Sequence, residues 1–367
     1  MPFTGISWPQ PLARTCPVRS HGDSIRGYAD APAPTAYLEA HLPAPSHNTT
    51  AQPLPTHDPR LTTNPLTTHD PRLTTHLLDT GYCLASEANV IRGGRRRRIA
   101  CHAPVALLGH PTQGWTLFDA GYAPRIFEAT RDWPFSLYRR MTPLRLTPRL
   151  AVAAQLGAFD LNVSDIRRVV VSHFHADHIA GLRDFPHAGF ITSRAAWDDA
   201  RQRQGFRALL RGVIPALIPG DFAARATLLD DFTGPTLPAL GPTHDLFGDG
   251  SALLIPLPGH ARGQLGLLVR TTRGDLLLAA DGCWLSRSYR ERRPPPAFAN
   301  LIADDPRALV ATIDKLHDFA LAHPEVAILP THCTAALGRE LGREAAHQRA
   351  TQDAAENATV PATAATP

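Results

Sequence analysis

Cysteine is scarce in this chain. Its five copies (Cys16, Cys83, Cys101, Cys283, Cys333) are an odd number with no Cys-x-x-Cys spacing. That argues against a disulfide-built scaffold or a cysteine-held structural zinc, and it fits a reducing compartment. Long apolar runs are also missing. No stretch approaches the roughly 18 unbroken apolar residues of a membrane span, and the amino end lacks the apolar core of a secretory signal. A cytoplasmic protein with no membrane partner is the expectation. An excess of one sign of charge is nearly absent as well: the formal net charge is only +4. Much of that excess sits in Arg95–Arg98 beside Arg92. A run this short reads as a solvated hairpin tip, so nucleic acid is not an expected partner.

The chain is long enough, at 367 residues, for one large α/β domain, and 43% hydrophobic with 19% charged residues is the balance of a cored enzyme. Proline is unevenly spread, with 13 of the 35 in the first 76 residues. There Pro, Thr, His and Ala dominate without an apolar period, and Thr56–Asn64 recurs almost unchanged as Thr68–His76. Two copies without apolar content build no core, so residues 1–76 are expected to be a disordered extension. An ordered domain is expected over 77–345, and the Ala/Thr/Pro-rich 346–367 reads as a second disordered tail.

Within the domain, Tyr82–Ile91 and Ile99–Leu108 read as a hairpin around Gly93-Gly94, and Gly114–Phe118 as a third strand ending at Asp119. Pro148–Phe159 has helical spacing, and Ser193–Gln204 reads as a capped helix. Residues 205–247 mix helical spacing with prolines and suggest a broken insert. Ala252–Leu257, Gln264–Thr271, Asp275–Ala280 and Val326–Leu329 read as strands, and Asp305–His323 as an amphipathic helix opened by Pro306.

The chemistry concentrates in Val169-Val-Val-Ser-His-Phe-His-Ala-Asp-His-Ile-Ala-Gly181. A β-branched run delivers His173, His175, Asp177 and His178 at once. Imidazole nitrogen and carboxylate oxygen are the donors that zinc, iron, manganese or nickel accept. Three later strands each end on another such donor: His260 in Leu-Pro-Gly-His, Asp281 in Leu-Ala-Ala-Asp, and His332 in Leu-Pro-Thr-His. Together these supply two coordination shells.

This order of His-x-His-x-Asp-His, then His, Asp and His at strand ends, resembles the metallo-β-lactamase-fold hydrolase superfamily. Leu117-Phe-Asp-Ala-Gly121 matches that family's strand ending in Asp and Gly. The resemblance spans about residues 77 to 340. It implies an α/β (α+β) fold, a four-layer αββα sandwich of two mixed β-sheets flanked by helices. It also implies two divalent ions, zinc first with iron or manganese open. His173, His175 and His260 would hold one ion, and Asp177, His178 and His332 the other, with Asp281 bridging. A hydroxide shared by the ions would attack a small ester, lactone or thioester, and Asp177 would carry the leaving-group proton. Asp119 would orient a ligand histidine from behind.

The ligand contexts look most like the N-acyl-homoserine lactone lactonases, with one departure. Those enzymes commonly place a tyrosine three residues after the bridging aspartate, where this chain has Trp284. Tyr289 is the nearest substitute and is expected to reach the substrate from a loop. Arg262, Arg287 and Arg290 are candidates for binding an anionic group, while Cys283 and Cys333 read as packing residues. Two other readings stay open: a phosphodiesterase or nuclease on the same ions, and a non-hydrolytic metal-binding or redox protein of the same fold.

Overall fold

A computed structural model describes residues 72–359. The segment up to residue 71, with the first copy of the repeat, and the residues from 360 onward lie outside the described residues.

Two sheets dominate. The first takes β1 (Thr74–Ser86), β2 (Arg98–His110), β3 (Gly114–Phe118), β4 (Leu144–Arg145), β5 (Ile166–Val170), β6 (Gly189–Ser193) and β7 (Ala226–Leu229) in the order β4-β1-β2-β3-β5-β6-β7. A two-stranded ribbon, β8 (Thr236–Leu237) and β9 (Gly241–Pro242), follows. The second sheet runs β10 (His244–Asp245), β11 (Ala252–Pro256), β12 (Leu265–Thr271), β13 (Gly274–Ala280) and β14 (Ala327–Pro330) in sequence order. Both sheets are mixed: β3, β5, β6 and β7 pair parallel, as do β13 and β14, and the hairpin pairs are antiparallel.

The alternation of side chains along each strand sorts them into layers. On β2, Ala103, Val105 and Leu107 face the outer cluster, while Ala106 and Leu108 face the second sheet. On β13, Leu276, Leu278 and Ala280 face inward, and Leu277 and Ala279 face the helices outside. One apolar cluster therefore lies between the sheets and one lies on the outer face of each. That arrangement is the αββα sandwich.

The helices that bear on the site are α1 (Ala176–Ile179), α2 (Arg194–Ala200), α3 (Gly205–Leu209), α4 (Ser286–Arg290), α5 (Pro306–Ala322) and α6 (Thr334–Thr359). Helix α5 opens as its sequence dictates: the Asp305 carboxylate accepts from the backbone N–H of Arg307 and Ala308, with Pro306 in the first turn. Its Leu309, Ile313, Leu316 and Phe319 are buried against the second sheet.

Several elements differ from the sequence reading. Strand β1 starts at Thr74, within the second copy of the repeat, and Leu73 is fully buried. It stops at Ser86, where Glu87–Val90 forms a single helical turn instead of continued strand. Pro148–Phe159 is a broken series of short turns, and α6 carries helix to Thr359 across the stretch expected to be a tail.

The Glu87 turn is set by charge. Its carboxylate, 3% exposed, accepts from the Arg95 backbone N–H, from the Arg97 guanidinium at 2.9 Å and from the Arg287 guanidinium at 3.1 Å. The Arg97 hydrogen bond, above all, holds the carboxyl below its ordinary value of 4.5. A depressed carboxylate stabilises the fold above that value, and the contribution is lost as pH falls through the folded pKa. Glu87→Gln is expected to cost about 1–3 kcal/mol in denaturant unfolding near neutral pH. The gap to the parent should close on the acid side of 4.5. A gap that persists there would show that shape, not charge, sets the turn.

Candidate metal centre

The strands of both sheets point their ends at one place. His173 follows β5, Asp281 follows β13, His332 follows β14, and His260 follows β11 across a Pro-Gly turn. His175 precedes α1, which carries Asp177 and His178. Gly259 turns with φ +125°, and a Cβ there would collide with the backbone of α5 at Leu309, so His260 needs glycine before it.

Two groups of donors result. The facing atoms of His173, His175, His260 and Asp281 lie within 4.8 Å of one another, and so do those of Asp177, His178 and His332. Asp281 joins the groups. Its Oδ2 is 3.1 Å from His260 Nε2 and 3.2 Å from His332 Nε2, and its Oδ1 is 3.3 Å from His178 Nε2. Asp177 Oδ2 lies 3.6 Å from His178 Nε2 and 3.5 Å from His332 Nε2. Donors bonded to one tetrahedral zinc at about 2.0–2.2 Å are separated from each other by about 3.3–3.6 Å, which is this spacing.

Most of these groups are buried, and several have nothing to bond. His173 Nε2, His178 Nε2 and Asp281 Oδ1 are buried atoms without a hydrogen-bond partner. Orphaned donors of this kind are costly unless something else binds them. Burial, reinforced by the neighbouring imidazoles, holds His173 and His175 well below the ordinary histidine value, in the neutral form that a metal requires. Burial also pulls down on His178 and His332, but the carboxylates win. Asp119, Asp177 and Asp281 raise His178, and Asp281 with Asp177 lifts His332 to about 10. Asp281 is lowered, since His332, His260 and His178 together outweigh its burial. The spacing of the two donor groups and the unpartnered buried atoms among them fit a pair of divalent cations.

Four of the ligand rings, those of His173, His175, His178 and His332, are also held by neighbours outside the cluster. His178 Nδ1–H donates to Asp119 Oδ2 at 2.7 Å, which leaves Nε2 facing the cluster. The Ser172 hydroxyl donates to the same oxygen, its backbone N–H donates to Asp119 Oδ1, and its oxygen lies 3.0 Å from His173 Nδ1. Asp119 is itself held at φ 66°, a left-handed conformation at the end of β3. His332 Nδ1–H donates to the His102 carbonyl at 2.8 Å, across from β2. Gly212, at φ +66°, brings the loop after α3 onto the His175 ring, where a Cβ would meet Cδ2 at 3.0 Å.

All seven expected ligands come together, with Asp119 behind His178. Tyr289 does not join them. It is 3% exposed in the outer apolar cluster with Leu316 and Phe319, and its carbonyl accepts from His317. One turn of α4 separates Trp284 from Tyr289, and it directs the tyrosine under α5. The group at the site is Trp284: its Nε1–H donates to Asp281 Oδ2 at 2.9 Å, and its ring lies 5.4 Å from His260 and 6.4 Å from His332. Arg287 is engaged with Glu87 and Glu291, and Arg290 lies over the Tyr289 ring. Arg262 instead lines an open groove of about 590 Å³ between α2 and the His260 turn. Ser172, His102 and Gly212 escaped the sequence reading. Ser172 adjoins the motif and could have been suspected, whereas the other two act from positions distant in the chain.

A dinuclear-type arrangement of histidine and aspartate at the strand ends of an αββα sandwich defines a metal-dependent hydrolase. The metallo-beta-lactamase superfamily model matches residues 100–318, and the chain belongs to that superfamily. Among similar proteins, the N-acyl homoserine lactonase AttM of Agrobacterium fabrum is 26% identical over 232 residues, covering 61% of this chain and 80% of its own length. The probable metallo-hydrolase Rv2300c of Mycobacterium tuberculosis is 27% identical over 183 residues, 47% of this chain and 53% of its own. Of solved structures, an N-acyl homoserine lactone hydrolase with N-hexanoyl-L-homoserine at its catalytic metal center shares the fold at a TM-score of 0.55 and 16% identity, over 71% of this chain and 92% of that one. AidC, a dizinc quorum-quenching lactonase, does so at 0.51 and 18%, over 72% and 89%. No helix among the described residues is long and apolar enough to cross a membrane.

Removing the carboxylate behind His178 tests whether it orients that ligand. Asp119→Ala is expected to bind the second ion about 10–100-fold more weakly in chelator competition while still folding. Unchanged affinity for both ions would refute that role.

Proposed function

We propose that this hydrolase uses two divalent ions to open small lactones, with N-acyl homoserine lactones as the first class to test. The observation that carries the reading is the Asp281 carboxylate within 3.3 Å of His178, His260 and His332, with His173 Nε2, His178 Nε2 and Asp281 Oδ1 buried and without a hydrogen-bond partner. His173, His175 and His260 would hold one ion, and Asp177, His178 and His332 the other. Imidazole and carboxylate donors favour zinc, with iron and manganese as the alternatives that metal analysis separates. Held by these residues, such ions would lower the pKa of water and polarise a carbonyl oxygen.

The chain's own groups do the rest. Asp177, with 13% of its side chain exposed, is more open than Asp281 at 2%. Its Oδ2 faces His178 and His332, so the other oxygen is free to carry a proton to the departing ring alkoxide. Trp284 fixes the Asp281 carboxylate through its indole N–H and presents an apolar wall beside the two histidines. That indole N–H is committed to Asp281, so Trp284 does not repeat the role of a tyrosine hydroxyl at the substrate.

The loop that covers His175 also carries apolar surface. Phe206 and Leu210 are exposed on and after α3, and Phe206 stacks on Trp133 at 6.3 Å. The same loop is tied to the segment before α5 by Arg211, which donates to the Ala303 carbonyl. This suits a substrate with a polar ring at the ions and an apolar acyl chain outside. The lactonase relatives favour the same class. For the phosphodiesterase alternative, the arginine run offers little, since Arg97 is bound to Glu87.

Purified protein is expected to carry about two ions and to hydrolyse acyl lactones in a panel that includes thioesters and phosphodiesters. Chelation should abolish turnover. Asp281→Ala should lower kcat/KM at least about 10²–10³-fold in a folded protein, and full activity in that variant would sink the mechanism. Phe206→Ala should weaken long-chain lactones about tenfold relative to short-chain ones, as for a lost apolar contact. Equal losses for both would remove the acyl chain from this surface.

A further inference from the structure

The two cysteines nearest the centre on the first sheet are used by nothing described so far. Cys83 on β1 and Cys101 on β2 are direct cross-strand partners in the antiparallel ladder. Directly opposed residues in such a ladder have Cα atoms about 4.5–5.5 Å apart, inside the disulfide range of about 4.4–6.8 Å. Opposed residues of a ladder present their side chains on the same face, so the two thiols are neighbours. Cys83 is partly exposed and Cys101 is buried. The pair is close enough to the centre for the charges of His332 and Asp177 to act on Cys83. Cys101 is also one residue from His102, whose carbonyl fixes the His332 ring.

We propose that Cys83 and Cys101 form a peroxide-responsive dithiol, a modification site coupled through His102 to the His332 side of the centre. Cys83 is the accessible member and reacts first: its sulfur attacks one peroxide oxygen, the O–O bond breaks, and a sulfenic acid and one water result. The Cys101 sulfur then attacks that sulfenic sulfur, displacing its oxygen as a second water and forming the S–S bond. The two thiols lose two electrons and two protons, and hydrogen peroxide is reduced to two waters. Register already sets the two residues directly opposite each other, so closure needs no change of strand pairing. It does fix β1 and β2 to each other one residue from the carbonyl that His332 depends on, and a shift there is transmitted to a ligand. Cys283 and Cys333 are the internal control. Both are buried, and Cys333 Sγ is engaged by the Ser286 backbone and hydroxyl.

The test uses the full-length, metal-loaded protein treated with hydrogen peroxide, unfolded in alkylating agent and digested with trypsin. Cleavage after arginine puts Cys83 in the peptide Leu73–Arg92 and Cys101 in Ile99–Arg125. The expected product is these two peptides joined, lighter by two hydrogens than their sum, and separated by reductant. Cys283 and Cys333 should be alkylated as free thiols. Cys101→Ser should stop at a trappable sulfenic acid on Cys83, a readout that survives even if Cys83→Ser fails to fold. Chelator should strip metal from the oxidised protein about tenfold faster than from the reduced protein. Separate alkylation of Cys83 and Cys101 after peroxide, or a Cys283–Cys333 link in their place, would overturn the site. A Cys83–Cys101 link with unchanged metal release would overturn the coupling to His332. The cross-link and metal release are read without any substrate, so neither depends on the lactonase reading.

Discussion

A carboxylate with 2% exposure, faced by histidines on three sides, is the constraint around which this molecule is arranged. Taking an ionised carboxylate out of water costs several kcal/mol, and the cost is offset only by well-placed opposite charge. Asp281 sits at the end of β13, and the charges that answer it come from three other chain segments. His260 comes from the turn after β11, His332 from the end of β14, and His178 from α1, which follows β5. No shorter piece of the chain contains enough of these groups to compensate the burial. The sandwich is what brings them together, and the gap left between their facing atoms is the size of a coordinated cation.

Precision at such a site comes from the groups that do not face it. Asp119 sets His178 and, through Ser172, His173. The His102 carbonyl sets His332, and the backbone at Gly212 closes on the His175 ring. These supports come from β3, β2 and the loop after α3, so the ligands of both donor groups are braced by the first sheet. Two of these supports need left-handed backbone: Asp119 at φ 66° and Gly212 at φ +66°. At Asp119, a side-chain residue holds that conformation because its carboxylate is satisfied by three donors.

The legibility of this chain follows the range of its interactions. Donors at the ends of apolar strands were readable because a strand announces itself within a few residues, and so does a capped helix such as Pro306–Ala322. Supports such as the His102 carbonyl were not readable, because a backbone oxygen 230 residues from its partner leaves no mark in local composition. Strand β1 was read short at its amino end because Leu73-Thr-Thr-His76 repeats a proline-rich phrase. What makes it a strand is tertiary: eleven of its thirteen residues pair with β2, and Leu73 donates to the Arg270 carbonyl of the second sheet. Residues 205–247 resist reading because their turns are set by packing into the apolar clusters and, at Gly212, against the His175 ring, not by any period of their own.

Trp284 shows where local reasoning and three-dimensional placement part. Counting along the chain made Tyr289 the natural substitute for a missing hydroxyl, since both follow Asp281 within one loop. Helical geometry decides otherwise, because α4 turns Tyr289 into the apolar layer beneath α5 while Trp284 stays at the mouth. A tryptophan has one polar hydrogen, and here it is spent on the Asp281 carboxylate. Its contribution is therefore to orient an acceptor that lies between two cation positions and to keep water from one side of it. If the site opens lactones as proposed, position 284 offers the substrate carbonyl no hydroxyl, and its polarisation would be left to bound ions. A site of that kind depends more heavily on how firmly its ligands are held. That dependence gives a physical reason for the dense bracing by Asp119, Ser172 and His102.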